Sequence, residues 1–451
     1  MLSSGIDMKA TLGIAICALI CCLIPTNAAS IDPDLARFVA SKQTQMRDLA
    51  GTNKIPAIVQ SYFDAIRVDD WETATNLARQ IFRASGLYST SNKEYVLPAL
   101  QTPMWPPIAE SISAYEQFHI WDNKLLRQFG SNIVSSIPAG SVFFGGTDPG
   151  RFIISALSDS HREGRPFFTI TQNQLVDVNY IEYLRSMYGR SLYIPTTNET
   201  ATAFQEYMED VSTRYAASKL RPGEDVQVVQ GQIHVSGQIA VMDINGRIAK
   251  AILDKNPERN FYIEESLQLD WMYPYLSPHG LIMELHHKPL GTLDQAVLAT
   301  DRDYWKRITA ELIGDWITEK TSVNEICDFA EKTYLRTNFI GFNGNIEFAR
   351  NDQAQKCFSK LRSSIGGLYA WRAGQAKEEL DQRQMLDAAA ISFRQAFALC
   401  PYSPDVVLRY VQYLVNIRRI DDAIRITETA LRIDPDDTAF KDLLKGLRKI
   451  N

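Results

Sequence analysis

Ser141-Val142-Phe143-Phe144-Gly145-Gly146-Thr147-Asp148-Pro149-Gly150-Arg151-Phe152 is the stretch on which the fold of this chain turns. Four residues of strand composition run into a turn built from glycine, threonine and aspartate. Pro149 then suits the first turn of a helix that Phe152, Ile153, Ala156 and Leu157 carry on. A strand feeding a helix through a tight turn is the opening half of a βαβ unit, so the spacing predicts an α/β layer here.

Working outward, the same alternation recurs from Pro138 to about Pro289. Phe167 to Thr171 reads as the next strand and Val176 to Met187 as the next helix. A short apolar run, Leu192-Tyr193-Ile194, precedes a helix from Thr200 to about Leu220. Val226-Gln227-Val228 and Gln232-Ile233-His234-Val235 alternate in polarity about Gln230-Gly231, the mark of a hairpin. Ile244, Ile248, Ala251 and Ile252 form a helical stripe before the strands Phe261-Tyr262-Ile263 and Leu281 to Leu285. Alternating strands and helices predict an α/β centre with a mostly parallel, Rossmann-like sheet.

All-α helical hairpins are expected on both sides of that centre. Ile55, Val59, Tyr62, Phe63 and Ile66 line one face, and Trp71, Ala74, Leu77, Ala78, Ile81 and Phe82 the next, parted by Asp69-Asp70. Pro107 suits the start of a further helix through Leu126. At the amino end, a short polar segment to Lys9, an apolar run from Ala10 to Ile24, and Pro25 to Ser30 read as a secretory signal cleaved after Ala28 or Ala29. The expected organisation is a signal peptide over 1–29, a helical region over 30–137, the α/β domain over 138–292 and a helical region over 293–451. An exported chain without a spanning segment after the signal follows from that reading, in the periplasm or outside the cell.

The carboxyl-terminal region repeats. Ala389, Phe393, Ala396 and Pro401 are matched 34 residues later by Ala423, Thr427, Ala430 and Pro435. Small residues where two helices approach, with proline just past the second helix, are the tetratricopeptide pattern. The repeats are expected over about 370 to 451, with Thr438 to Ile450 as a capping helix. In the upstream unit, Gly366-Gly367 and the polar stretch Gln375 to Gln384 are read as a lengthened connection.

Pro138-Ala139-Gly140-Ser141-Val142-Phe143-Phe144-Gly145-Gly146-Thr147-Asp148 resembles the start of the soluble carboxyl-terminal domain in a family of bacterial multi-pass membrane proteins related to lipid-linked sugar transferases. Asn260-Phe261-Tyr262-Ile263 and Pro278-His279-Gly280-Leu281-Ile282-Met283 are similar to the strands that close that domain. The resemblance implies a shared domain fold in an exported setting. It implies no transferase activity, because the catalytic acid and lipid-sugar site of such enzymes lie in a membrane half with no counterpart in these residues. As a whole, the chain also resembles exported tetratricopeptide-repeat proteins of bacteria.

Composition removes several kinds of chemistry. The 451 residues carry 47 basic and 53 acidic side chains, net −6, without the concentrated cationic face a nucleic-acid binder needs. With six histidines and no HExxH, CxxC or Cys/His cluster, no metal or other cofactor is expected. His286-His287 at a strand end face opposite sides and cannot share a metal. Ser158-Asp159-Ser160-His161 holds hydrolase residue types, but consecutive positions cannot make a triad, and the run reads as a polar helix end. Glu264, Glu265 and Asp270 could supply paired carboxylates. Cys327, Cys357 and Cys400 read as buried thiols, with one disulfide as the alternative.

The best local candidate for a ligand site is the turn itself. Backbone N–H groups of Gly145 and Gly146, with Thr147, Asp148 and Arg151, would face a crevice beyond the carboxyl ends of the strands, joined by Gln172, Asn173 and Glu264. The competing reading makes Asp148 the cap of the helix entered through Pro149. Two functions follow. One is a non-enzymatic interaction or scaffold protein, accessory to cell-envelope or glycan processes, with a protein or peptide held by the repeats, membrane-associated complexes included. The other is a glycan- or nucleotide-sugar-binding or processing protein working through the Asp148 crevice.

Overall fold

Helices dominate the computed structural model, which describes residues 31–86, 96–221, 223–229, 231–264, 269 and 271–450. The segment read from the sequence as a signal peptide, Glu265 and Asp270 lie outside the described residues. In chain order, α1 (Pro33–Ala50), α2 (Ala57–Arg67), α3 (Trp71–Ala84), α4 (Trp105–Ile120) and α5 (Asn123–Ser136) come first. Then follow β1 (Val142–Gly145), α6 (Ile154–Ser158), β2 (Phe168–Thr171), α7 (Val178–Tyr188), α8 (Thr197–Ala216), β3 (Asp225–Val229), β4 (Gln232–Ser236) and α9 (Gly237–Lys255). β5 (Phe261–Ile263), β6 (Leu276–His279) and β7 (Ile282–Leu285) complete the strands. The chain ends in α10 (Gln295–Ile313), α11 (Val323–Ala330), α12 (Ile346–Arg350), α13 (Asp352–Gln375), α14 (Glu379–Leu399), α15 (Pro404–Asn416), α16 (Ile420–Ile433) and α17 (Thr438–Ile450).

Two compact units share these elements: residues up to Phe118 with Ala139–Arg259, and His119–Pro138 with Asn260 onward. The changes of periodicity at Pro138 and Leu293 mark changes of secondary structure, while compactness groups the chain otherwise. The helix expected through Leu126 breaks at Trp121-Asp122, where the Asp122 carboxylate caps α5 by accepting from the Lys124 and Leu125 N–H groups. α5 then belongs with the carboxyl-terminal unit.

In the first unit, α1 to α4 share an apolar core in which Leu35, Phe38, Val59, Tyr62, Ile66, Ala74 and Ile81 are buried. The hairpin over Ile55 to Ala84 forms as the two stripes predict, with Asp70 capping α3. β1 and β2 pair in parallel from Val142↔Phe168 to Gly145↔Thr171. β3 and β4 form the expected hairpin, from Asp225↔Ser236 to Val229↔Gln232.

In the second unit, the parallel expectation fails. β5 pairs with β7 and β6 pairs with β7, both antiparallel. Only Gly280-Leu281 separates β6 from β7, which leaves no room for the crossover a parallel pair requires. The strand pairings within the units are therefore mixed, parallel between β1 and β2 and antiparallel among β5, β6 and β7. Leu192-Tyr193-Ile194 is no strand either: the Asn256 side chain accepts from Tyr193 N–H (2.8 Å) and donates to Tyr193 C=O (3.1 Å).

α13 and α14 also revise the sequence reading. The connection is not lengthened; only Ala376 to Glu378 lie between the helices, which are themselves long, at 24 and 21 residues. Gly366 allows this, since a Cβ there would meet Ser392 Cβ at 3.1 Å and the Phe393 ring at 3.2 Å. A side chain would wedge the pair apart.

Candidate functional site

The predicted turn holds together as a polar cluster. Asp148 has helical backbone angles and accepts no capping bond. The Thr147 hydroxyl instead accepts from Gly150 N–H at 3.1 Å, so Thr147 rather than Asp148 terminates the helical segment. Asp148 pairs with the buried Arg151 guanidinium, which also donates to Asn173 Oδ1 at 3.1 Å. The segment Pro149–Ile153 is a π-helical turn. Gly145 must lack a side chain, since a Cβ would lie 2.9 Å from Arg151 Cβ and 3.0 Å from Gly150 O. Gly146 and Thr147 follow it directly. Gln172 is fully buried beside Asn173, and neither its amide nitrogen nor its amide oxygen has a partner. Thr147, Asp148, Arg151 and Asn173 thus belong to one cluster in the first unit. Glu264 belongs to the second unit, where it is buried at the end of β5.

A second polar site has no counterpart in the sequence reading. Lys42 falls on the apolar stripe of α1 with Leu35, Phe38, Val39 and Met46, and is fully buried. Its ammonium lies 2.7 Å from Glu110 Oε2 of α4, 2.6 Å from the Tyr183 hydroxyl of α7 and 2.5 Å from His161 Nδ1. Tyr183 donates to Glu110 Oε2 at 2.7 Å, and Gln45 Nε2 donates to His161 O at 2.8 Å. A lysine at an apolar position of a helical stripe was the signal that could have disclosed this site.

Burial pushes the Lys42 ammonium down, and it pushes His161 down as well. Burial alone would raise the Glu110 carboxyl, but the charges and hydrogen bonds of His161 and Lys42 outweigh it and hold that group well below the usual carboxylate range. Ser155 Oγ lies 3.4 Å from His161 Nε2, and His161 Nδ1 lies 3.1 Å from Glu110 Oε2, a sequence reminiscent of a nucleophile, base and orienter. The Lys42 ammonium, 2.5 Å from His161 Nδ1 and 2.7 Å from Glu110 Oε2, interrupts that sequence. Ser155, His161 and Glu110 are each at most 5 % exposed, so the serine is also closed to substrate. The cluster is a clamp joining α1, α4, α7 and the turn after α6.

The other candidates resolve into packing. His286 Nε2 meets Ser277 Oγ at 2.8 Å, while His287 meets the Phe261 ring, on the other side. Trp371 packs on Tyr273, and the Tyr369 hydroxyl donates to Asp301. No group of three or more His, Cys, Asp or Glu side chains is arranged to hold a metal among the described residues, and Cys327, Cys357 and Cys400 are free. Among the described residues no helix is long and apolar enough to cross a membrane. A cleft of about 280 Å³ opens in the first unit beside Gln43, Arg47, Gln60, Asp64 and Arg67, without a paired nucleophile and base.

The carboxyl-terminal helices are the second unit's distinct feature. α14, α15, α16 and α17 are successive antiparallel neighbours joined by short turns, each pair burying its small residues: Ala389, Ala396, Ala423 and Ala430 are fully buried. Such an array defines the class of helical-hairpin repeat proteins. Residues 380–447 match the tetratricopeptide repeat family. No curated protein and no solved structure matches the chain.

Proposed function

We propose that this chain is an exported scaffold or adaptor that holds a protein or peptide partner on its carboxyl-terminal repeats. The observation that carries the reading is the open face of α15. Asp405, Leu408, Gln412 and Asn416 recur at helical spacing and are exposed, with Leu408 44 % accessible amid polar neighbours. α13 borders that face, where Lys360 pairs with Asp405 at 3.0 Å and Arg409 donates to Ser364 Oγ at 3.1 Å. α17 adds Lys441, Lys445 and Lys449, exposed four residues apart. A partner segment with acidic residues around one apolar anchor suits this surface.

The groove is small because α13 is committed elsewhere. Phe358 packs on Phe129, and the Arg372 guanidinium donates to the backbone carbonyls of Gly291 (2.9 Å) and Leu276 (2.7 Å). A photocrosslinking residue at position 408, in cells, is expected to yield a discrete adduct that the same residue at the more exposed Ile340 does not. Identical products at both positions would defeat the reading. Export is tested separately, by the mass of the amino terminus of chain recovered from the envelope fraction.

A second reading, a sugar-binding site at the Asp148 turn, is favoured by Gln172. Neither atom of its amide is paired, and a sugar admitted by an opening of the turn, which the full burial of Gln172 requires, would supply vicinal hydroxyls for it to accept from and donate to. Calorimetry against a panel of sugars with wild type and Gln172→Leu tests it; heats that the substitution leaves unchanged would exclude the site.

A further inference from the structure

We propose that β4 is a self-pairing edge through which two copies of this chain form a symmetric dimer, with His234 on the two-fold axis. The β3–β4 hairpin stands as a sheet of two strands, and among the described residues no third strand adds to either edge. Such a hairpin is marginal by itself in water. Val226 pairs with Val235 and Val228 with Ile233, so four β-branched residues share one face, with Val228 47 % exposed.

The ladder's parity fixes which backbone groups are free. Val229 and Gln232 close the turn and exchange ladder bonds, and so do Gln227 with His234 and Asp225 with Ser236. The N–H and C=O groups of Ile233 and Val235 therefore point outward from β4. An antiparallel copy of β4 centred on His234 is the register that uses all five residues of the strand. It sets Ile233 opposite Val235 twice, on the apolar face, and Gln232 opposite Ser236 twice, on the polar one. Residue i meets j and j meets i, as an isologous interface requires.

Charge selects β4 over β3. Exposed edges are usually guarded by lysine, proline or inward charges. β4, Gln-Ile-His-Val-Ser, has none of them. β3 begins with Asp225, whose carboxylate accepts from the Ser236 hydroxyl, and self-pairing there would set that carboxylate opposite Val229. The partner that fits the open edge is thus a second β4.

At the axis, the two His234 residues form a non-hydrogen-bonded pair, with Cα atoms about 4.5 Å apart. The full chain is expected to sediment as a dimer. His234→Glu and His234→Lys should each weaken it about tenfold or more by placing like charges face to face, while an equal mixture of the two returns to wild-type dimerisation. His234→Cys should form a disulfide-linked dimer under mild oxidant. Gln227→Cys should not, since two more strands separate that pair by roughly 14 Å. Neither position is in a core, so both variants should fold. A wild-type chain that stays monomeric over the concentration range, or a dimer indifferent to both charges at position 234, overturns the proposal.

Discussion

The first unit buries a lysine and the second an arginine, and the two are accommodated differently. Lys42 sits among Glu110, His161 and Tyr183, drawn from three helices and a turn. Arg362 of α13 donates to Asp301 Oδ2 of α10 and to Gln395 Oε1 of α14, both at 2.8 Å, and lies over the Trp305 ring. Tyr369 also donates to Asp301, at 2.9 Å. A guanidinium spreads one fixed charge over several directed donors and does not titrate in the physiological range. The lysine cluster instead relies on an ammonium and an imidazole whose charged forms burial disfavours. Neither pair is strong evidence of net stabilisation, since desolvation offsets the attraction, but each makes its neighbours dependent on the other partner's charge.

The largest expected effect comes from orphaning the lysine. Glu110→Ala should cost about 3–5 kcal/mol in urea unfolding, whereas Lys42→Met with Glu110→Leu should recover most of it. A loss under about 1 kcal/mol for Glu110→Ala would mean that water reaches Lys42 and that the contrast fails. In the second unit, Arg362→Lys keeps the charge but loses the fork and the stacking, and should cost about 1–3 kcal/mol by the same measurement.

Acidification should separate the units next. Glu110 and His161 both have native pKa values below their unfolded ones. The unfolded chain therefore binds more protons as pH falls, first below about 6.5 for the histidine and then below about 4.3 for the glutamate. The stability contributed by these two groups is complete above those values and is lost beneath them, at most about 1.4 kcal/mol per pH unit for each proton. Hydrogen exchange at pH 7 and pH 5 should show opening of α1 and α7 before α13, and His161→Gln should flatten the difference. The smallest effect concerns the turn. Thr147→Ala should cost about 0.5–1 kcal/mol by removing the hydroxyl that caps Gly150 N–H. The loss is read from the thermal midpoint.

What the sequence disclosed were features whose partners lie nearby along the chain. β1 and its turn, the β3–β4 hairpin, the α2–α3 hairpin and the 34-residue period all depend on neighbours in sequence. The lysine clamp was invisible because His161 is 119 residues and Tyr183 is 141 residues from Lys42, and a stripe shows only that one position is anomalous. Strand direction in the second unit was misread because composition does not encode it; the two-residue link at Gly280-Leu281 does. At the candidate turn, Arg151 joins Asp148 and Asn173 as their spacing allows, while the cap is the Thr147 hydroxyl and not the Asp148 carboxylate. Gln172 drew notice only as a neighbour, since an unmatched amide is a property of the surroundings.

Asn256 carries a last consequence. By gripping both backbone groups of Tyr193, a single carboxamide impersonates an adjoining strand. Leu192-Tyr193-Ile194 is a β-prone apolar run, and this mimicry occupies its central peptide groups before any foreign strand can pair with them. One asparagine thereby withholds from self-association a segment that its own residues would otherwise recommend for it.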